Sequence, residues 1–140
     1  MKILLAIVLV FLFKMSTAQS LDLLEKKLTN GGHQRWTVTE IDGDSQNGFC
    51  ADQVYDFYEK NQNSYRTTCS NKQIKETLRW EVANDNYRNY ITLSNVNNQN
   101  AVKYEIQFVQ KNNRILLRLR TLELENLKQT TDYYLQEIGD

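Results

Sequence analysis

The sequence predicts a mainly β protein, in which one short N-terminal helix precedes an eight-stranded antiparallel up-and-down β-barrel. Three observations carry this. From Arg35 onward apolar residues recur with a period of two. The runs are divided by short asparagine-rich turns, with no proline in the chain and only five glycines. Two cysteines, Cys50 and Cys69, bracket a pair of strand-like runs, as at the open end of a hairpin. Short connections make neighbours in sequence neighbours in space. A meander with one apolar face has two exposed margins, and curling until they meet removes both. A two-sheet sandwich is the alternative, but its Greek-key crossings need longer connections than most of these.

The first residues read as a targeting signal. Lys2 precedes an unbroken apolar run from Ile3 to Phe13, and Ser16-Thr17-Ala18 is a small-residue tail, so cleavage is expected before Gln19. The competing reading is a membrane anchor. The run is about half the roughly 20 residues a spanning helix needs, and Lys14 ends it. Residues 1–18 are therefore assigned to a cleaved signal and 19–140 to one domain, soluble and secreted or periplasmic, with no stable membrane insertion. Cleavage removes Lys2 and Lys14 and no acid, which takes 17 basic residues to 15 against 17 acidic ones, a net charge of −2. No basic excess is left to attract nucleic acid.

Leu21, Leu24 and Leu28 fall at helical spacing, with Ser20 placed to cap the start and Gly31-Gly32 to stop the helix. Arg35 to Ile41 is the first strand. Trp36 and Val38 share a face there, and Ile41 can join them only across a bulge. A polar loop, Asp42 to Gly48, leads to the cysteine-bracketed hairpin. Its strands, Gln53 to Tyr58 and Ser64 to Thr68, put Tyr55 and Phe57 on one face. Ser70 to Glu76 reads as a connector. Thr77 to Val82 presents Leu78, Trp80 and Val82 to one side. Asn84-Asp-Asn turns the chain into Tyr87 to Leu93, and a second asparagine turn spans Asn95 to Asn100. Val102, Tyr104, Ile106 and Phe108 then alternate with Lys103, Glu105 and Gln107. Lys111-Asn-Asn is a tight hairpin loop, from which Ile115, Leu117 and Leu119 return with Arg118 and Arg120 facing water. Leu122 to Thr131 breaks period and reads as a loop. Tyr133 to Ile138 closes the chain.

Export gives the cysteines a context, because disulfides persist in oxidising compartments. Only one intramolecular pairing, Cys50–Cys69, is open to them, and closing a loop of that length contributes about 3 kcal/mol in the chain-entropy model. Two free buried thiols are the alternative. A catalytic thiol is disfavoured, because the sole histidine, His33, lies in a polar turn.

Trp36, Cys50-x-Asp52, Phe57, Tyr65, Cys69 and Trp80 together resemble the lipocalin-like domain of small exported bacterial proteins, especially of Bacteroidota. The resemblance covers essentially the whole mature chain. Asp52 is followed by Gln53 rather than a second acid, and Asn63-Ser64 rather than glycine precedes Tyr65. The Gly-x-Trp signature of true lipocalins is not met, since Gly32 lies four residues before Trp36. Thr131-Asp132-Tyr133 spells another lipocalin motif but sits too near the C-terminus. The resemblance implies an apolar-ligand-binding or accessory role.

Tyr55, Phe57, Leu78, Trp80, Val82, Tyr104, Ile106, Phe108 and Leu117 are expected to face inward. They either line a pocket for a small hydrophobic ligand or fill the barrel, as side chains do in most small barrels. Asp52, Asp56 and Glu59 could be a carboxylate cluster, but without calcium-loop spacing they read as solvated surface acids. One histidine cannot supply a zinc site. Arg118 and Arg120 face solvent, or one of them stacks on Trp36 at the barrel end. No nucleophile elbow, Walker or dinucleotide fingerprint occurs, so neither an enzyme nor a cofactor is expected. Two roles remain: a ligand-binding barrel, or an interaction module with an envelope protein as partner.

Overall fold

A computed structural model describes residues 20–42, 44–45, 53–60, 63–68, 74–85, 87–95, 97, 100–122 and 130–139, with the backbone alone for 44–45, 63–68 and 74–75. The expected signal, its cleavage site, both cysteines and Asp52 lie outside the described residues, as does 123–129 within the expected last loop.

Helix α1 occupies 20–29. Ser20, expected to cap its start, is the first residue of the described helix. The helix ends at Thr29, with Asn30 between it and the glycines expected to stop it. Asn30 takes a left-handed φ of 49°, followed by Gly31 at 71°, a pairing that asparagine and glycine tolerate and other residues resist. The last turn leaves carbonyls to satisfy. The amide of Gly31 donates to Lys26 O, that of Gly32 to Thr29 O, and the Trp36 indole to Leu28 O.

The strands are β1 (His33–Ile41), β2 (Asp44–Ser45), β3 (Val54–Tyr58), β4 (Asn63–Thr68), β5 (Ile74–Asp85), β6 (Arg88–Asn95), β7 (Ala101–Lys111), β8 (Arg114–Thr121) and β9 (Asp132–Ile138). All pair antiparallel in one sheet, and β9 pairs back to β1, which makes the sheet barrel-like. Among the described residues there are nine strands rather than the eight expected. The addition is β2, inside the stretch read as a polar loop. β9 takes one edge of β1 from Arg35 to Ile41. On the other edge β3 covers His33–Thr37 and β2 covers Glu40–Ile41. β2 and β3 thus lie end to end along a single strand position.

Several strands outrun their apolar alternation. β5 begins at Ile74, inside the presumed connector, because Ile74, Lys75 and Glu76 stand opposite Thr68, Thr67 and Arg66 of β4. Between β7 and β8, Asn112 and Asn113 both have positive φ, at 52° and 60°, as a two-residue hairpin with right-handed strand twist requires. The bulge that Ile41 needed is present. Val38 pairs with Leu135 and Glu40 with Tyr134, so Thr39 is the extra residue and Ile41 joins Trp36 on the core side.

One apolar cluster fills the concave face. It unites Leu24 and Leu28 of α1 with Trp36, Val38, Tyr55, Phe57, Leu78, Trp80, Val82, Ile91, Leu93, Tyr104, Ile106, Leu117, Leu119 and Leu135. Phe108 is partly buried against it, on the same side as Trp80.

Candidate functional site

The two ends of the sheet differ. At the end where β1 starts, α1 packs Leu24 and Leu28 into the core and Leu21 against it. Trp36 meets Phe108 there at 5.9 Å between ring centroids, and Lys27 Nζ sits 5.5 Å over the Phe108 ring. The middle is filled with rings. Phe57 meets Trp80 edge-on at 6.1 Å and Tyr55 stacks on Phe57. The Trp80 indole donates to Tyr58 O at 3.0 Å, so its one polar atom is satisfied in the interior.

The opposite end retains space. A cavity of about 170 Å³ opens among Glu76 and Leu78 of β5, Leu93 and Asn95 of β6, Asn100, and Val102 and Tyr104 of β7. Alternation makes its floor apolar, since Leu78, Leu93 and Tyr104 are the last inward residues of their strands to be buried. Its rim is polar because the strands run on past the core. Asn95 N donates to Asn100 O and Asn100 N to the Asn95 side chain, both at 3.3 Å, and this fixes the turn beside the opening. Tyr104 meets Tyr133 of β9 edge-on at 6.5 Å across the mouth.

The nine residues expected to face inward divide accordingly. Leu78 and Tyr104 border the cavity. Tyr55, Phe57, Trp80, Val82, Ile106 and Leu117 are core filling, and Phe108 packs under the helix. Sequence reasoning missed Glu76, Leu93, Asn95, Asn100 and Val102 as lining residues. Leu93 and Val102 had the right parity and could have been found. Glu76 could not, because the pairing that makes it part of a strand is with a distant segment.

The outer face carries paired charges. Asp56, expected among exposed acids, is 6% exposed. It stands opposite Arg35 in register and accepts bonds from Arg35 Nε at 2.8 Å and His33 Nε2 at 3.0 Å. His33 is the first residue of β1 rather than a turn residue, and it stacks on Tyr58 at 4.2 Å. Arg118 contacts Glu105, and Arg120 binds Asp132 through two bonds of 2.7 and 2.8 Å. Neither arginine stacks on Trp36, whose ring neighbour is Phe108. The bidentate Arg120 contact holds the Asp132 carboxyl below its usual range against the opposing effect of burial. Among the described residues no group of three His, Cys, Asp or Glu side chains could hold a metal, and no helix is long and apolar enough to cross a membrane.

Comparison with protein-family models, curated proteins and solved structures returns no match for this chain.

Proposed function

We propose that the chain is an exported, lipocalin-like binding protein that holds a small apolar ligand at the mouth of its barrel rather than deep inside it. The observation that carries this is the cavity of about 170 Å³ with an apolar floor and a polar rim, at the end opposite the helix. Such a site is below the usual size of ligand pockets, about 300–1,000 Å³, so it suits a molecule of a few heavy atoms or one end of a longer one. In this reading β2 and β3 share one position of an eight-position ring. The signal of residues 1–18 sends the 19–140 domain to the periplasm or beyond, Cys50 bridges Cys69, and no reaction or cofactor is involved.

A second reading is an envelope interaction module, an inhibitor or accessory subunit. It is favoured by the filling of the interior, where Trp80, Phe57, Ile106 and Leu117 are almost entirely excluded from solvent. Native mass spectrometry of the protein and of Val102→Trp separates the two. Val102 is 47% exposed and borders the cavity, so a bulky ring there blocks the mouth without entering the core. A retained small mass that is lost in the variant supports the ligand reading. A bare protein in both cases sinks it.

A further inference from the structure

A second concavity lies on the outer wall, away from the mouth. We propose that this groove is a separate binding site for a small monocarboxylate carrying a short aliphatic chain.

The groove measures about 430 Å³ and is bounded by Thr39, Glu40, Lys111, Asn112, Arg114, Leu116 and Gln136, a volume within the range of small-molecule sites. Its floor is unusual. Leu117 faces the core, so its neighbour Leu116 must face outward. Yet Leu116 is only 5% exposed, and it stands apart from the core cluster that holds every other buried large apolar side chain among the described residues. The groove walls remove it from water. One wall follows from the Thr39 bulge, which sets Thr39 and Glu40 side by side on the rim. Bulges re-aim side chains in this way and are common beside sites. Another follows from the Asn112-Asn113 turn, which places Lys111 opposite Arg114 in register.

The charges select the ligand. Lys111 is bound to Glu40 across the groove, with its ammonium 4.8 Å over the Tyr134 ring, and these two charges cancel. Arg114 binds only a neutral group, Gln136 Oε1 at 3.2 Å, and has no anionic partner among the described residues. That bond engages Nη1 and leaves other guanidinium N–H donors in a planar fork suited to a carboxylate. It also turns the Gln136 amide NH₂ away from Arg114, where it can donate as well. The Thr39 hydroxyl already donates to Tyr134 O and adds no donor. The single uncompensated guanidinium of Arg114 balances one negative charge, so a doubly charged anion such as phosphate is left half compensated. The aliphatic stems of Lys111 and Arg114, which bound the groove beside Leu116, favour an aliphatic tail over a bare ion.

The test is a titration of the uniformly ¹⁵N-labelled protein with valerate, acetate and pentylamine, followed by amide shifts. Valerate is expected to give saturable shifts centred on Thr39, Asn112, Arg114 and Leu116, acetate to bind at least tenfold more weakly, and pentylamine to give none there. Arg114→Gln, at an exposed position, should weaken valerate at least tenfold with an unchanged melting temperature, and Val102→Trp should leave it untouched. Equal shifts with pentylamine, undiminished binding by Arg114→Gln, or shifts centred on Glu76 and Tyr104 would each overturn the proposal. So would a silent response to valerate with shifts produced only by an acidic peptide, which would make the groove a protein contact.

Discussion

The indole Nε1 of Trp36 donates a 2.9 Å hydrogen bond to the carbonyl oxygen of Leu28. The first strand thereby satisfies the last turn of the helix that precedes it. Both residues are buried, so water cannot substitute for either group. Trp36→Phe keeps a ring in the core but removes the donor. The expected cost is about 1–3 kcal/mol, the penalty of a buried acceptor left unsatisfied. Urea unfolding measures it, and a loss within error would mean that the helix end does not depend on this bond.

Leu135 is fully buried where β9 meets β1, standing opposite both Val38 and Leu117. Leu135→Ala should cost about 2–5 kcal/mol, as buried leucine truncations do. Ile115 has the same parity as Leu117 but is 69% exposed. Ile115→Ala should stay within about 0.5 kcal/mol of the parent. Similar midpoints for the two variants would contradict the placement of Leu135 within the core and Ile115 beyond its edge.

Asp132 is held below its usual carboxyl range by Arg120. A carboxyl depressed in the folded state contributes stability above its unfolded value, and that contribution is lost as pH falls through the folded value. Asp132→Asn should therefore melt below the parent at pH 7, and the gap should narrow once the pH drops under the unfolded carboxyl value of about 3.9 and close as it falls through the lower folded value. A gap independent of pH would assign the effect to packing.

The proposed Cys50–Cys69 bridge predicts that Cys50→Ala, or reduction of the parent, lowers stability by about 3 kcal/mol. Identical melting in oxidising and reducing buffer would show that no such bridge supports the fold.

Much of the architecture was legible because the core is written at every second residue. Trp36, Val38, Leu78, Trp80, Tyr104 and Ile106 each share a face with a neighbour two positions away, and all enter one cluster. Even the Thr39 bulge left a trace, in the mismatch between Trp36 and Ile41. Features set by distant pairing were not legible. Glu76 looks like a connector until β4 lies beside it. Asp56 looks like a surface acid until Arg35 and His33 close over it. Local polarity cannot report a partner 21 or 23 residues away. The outer groove was hidden for the same reason, since its lining comes from four strands and a turn with no common period.

The contact between β1 and β9 joins residues about a hundred positions apart, as in Arg35 opposite Ile138. Every other ladder in the sheet can zip locally as the polypeptide collapses, but this seam must wait for both chain ends to find each other. Until it is sewn, two unsatisfied margins are presented at once. A crowded refolding mixture can then join the β1 of one molecule to the β9 of another. Exchanged dimers at high protein concentration are the kinetic signature expected of this topology.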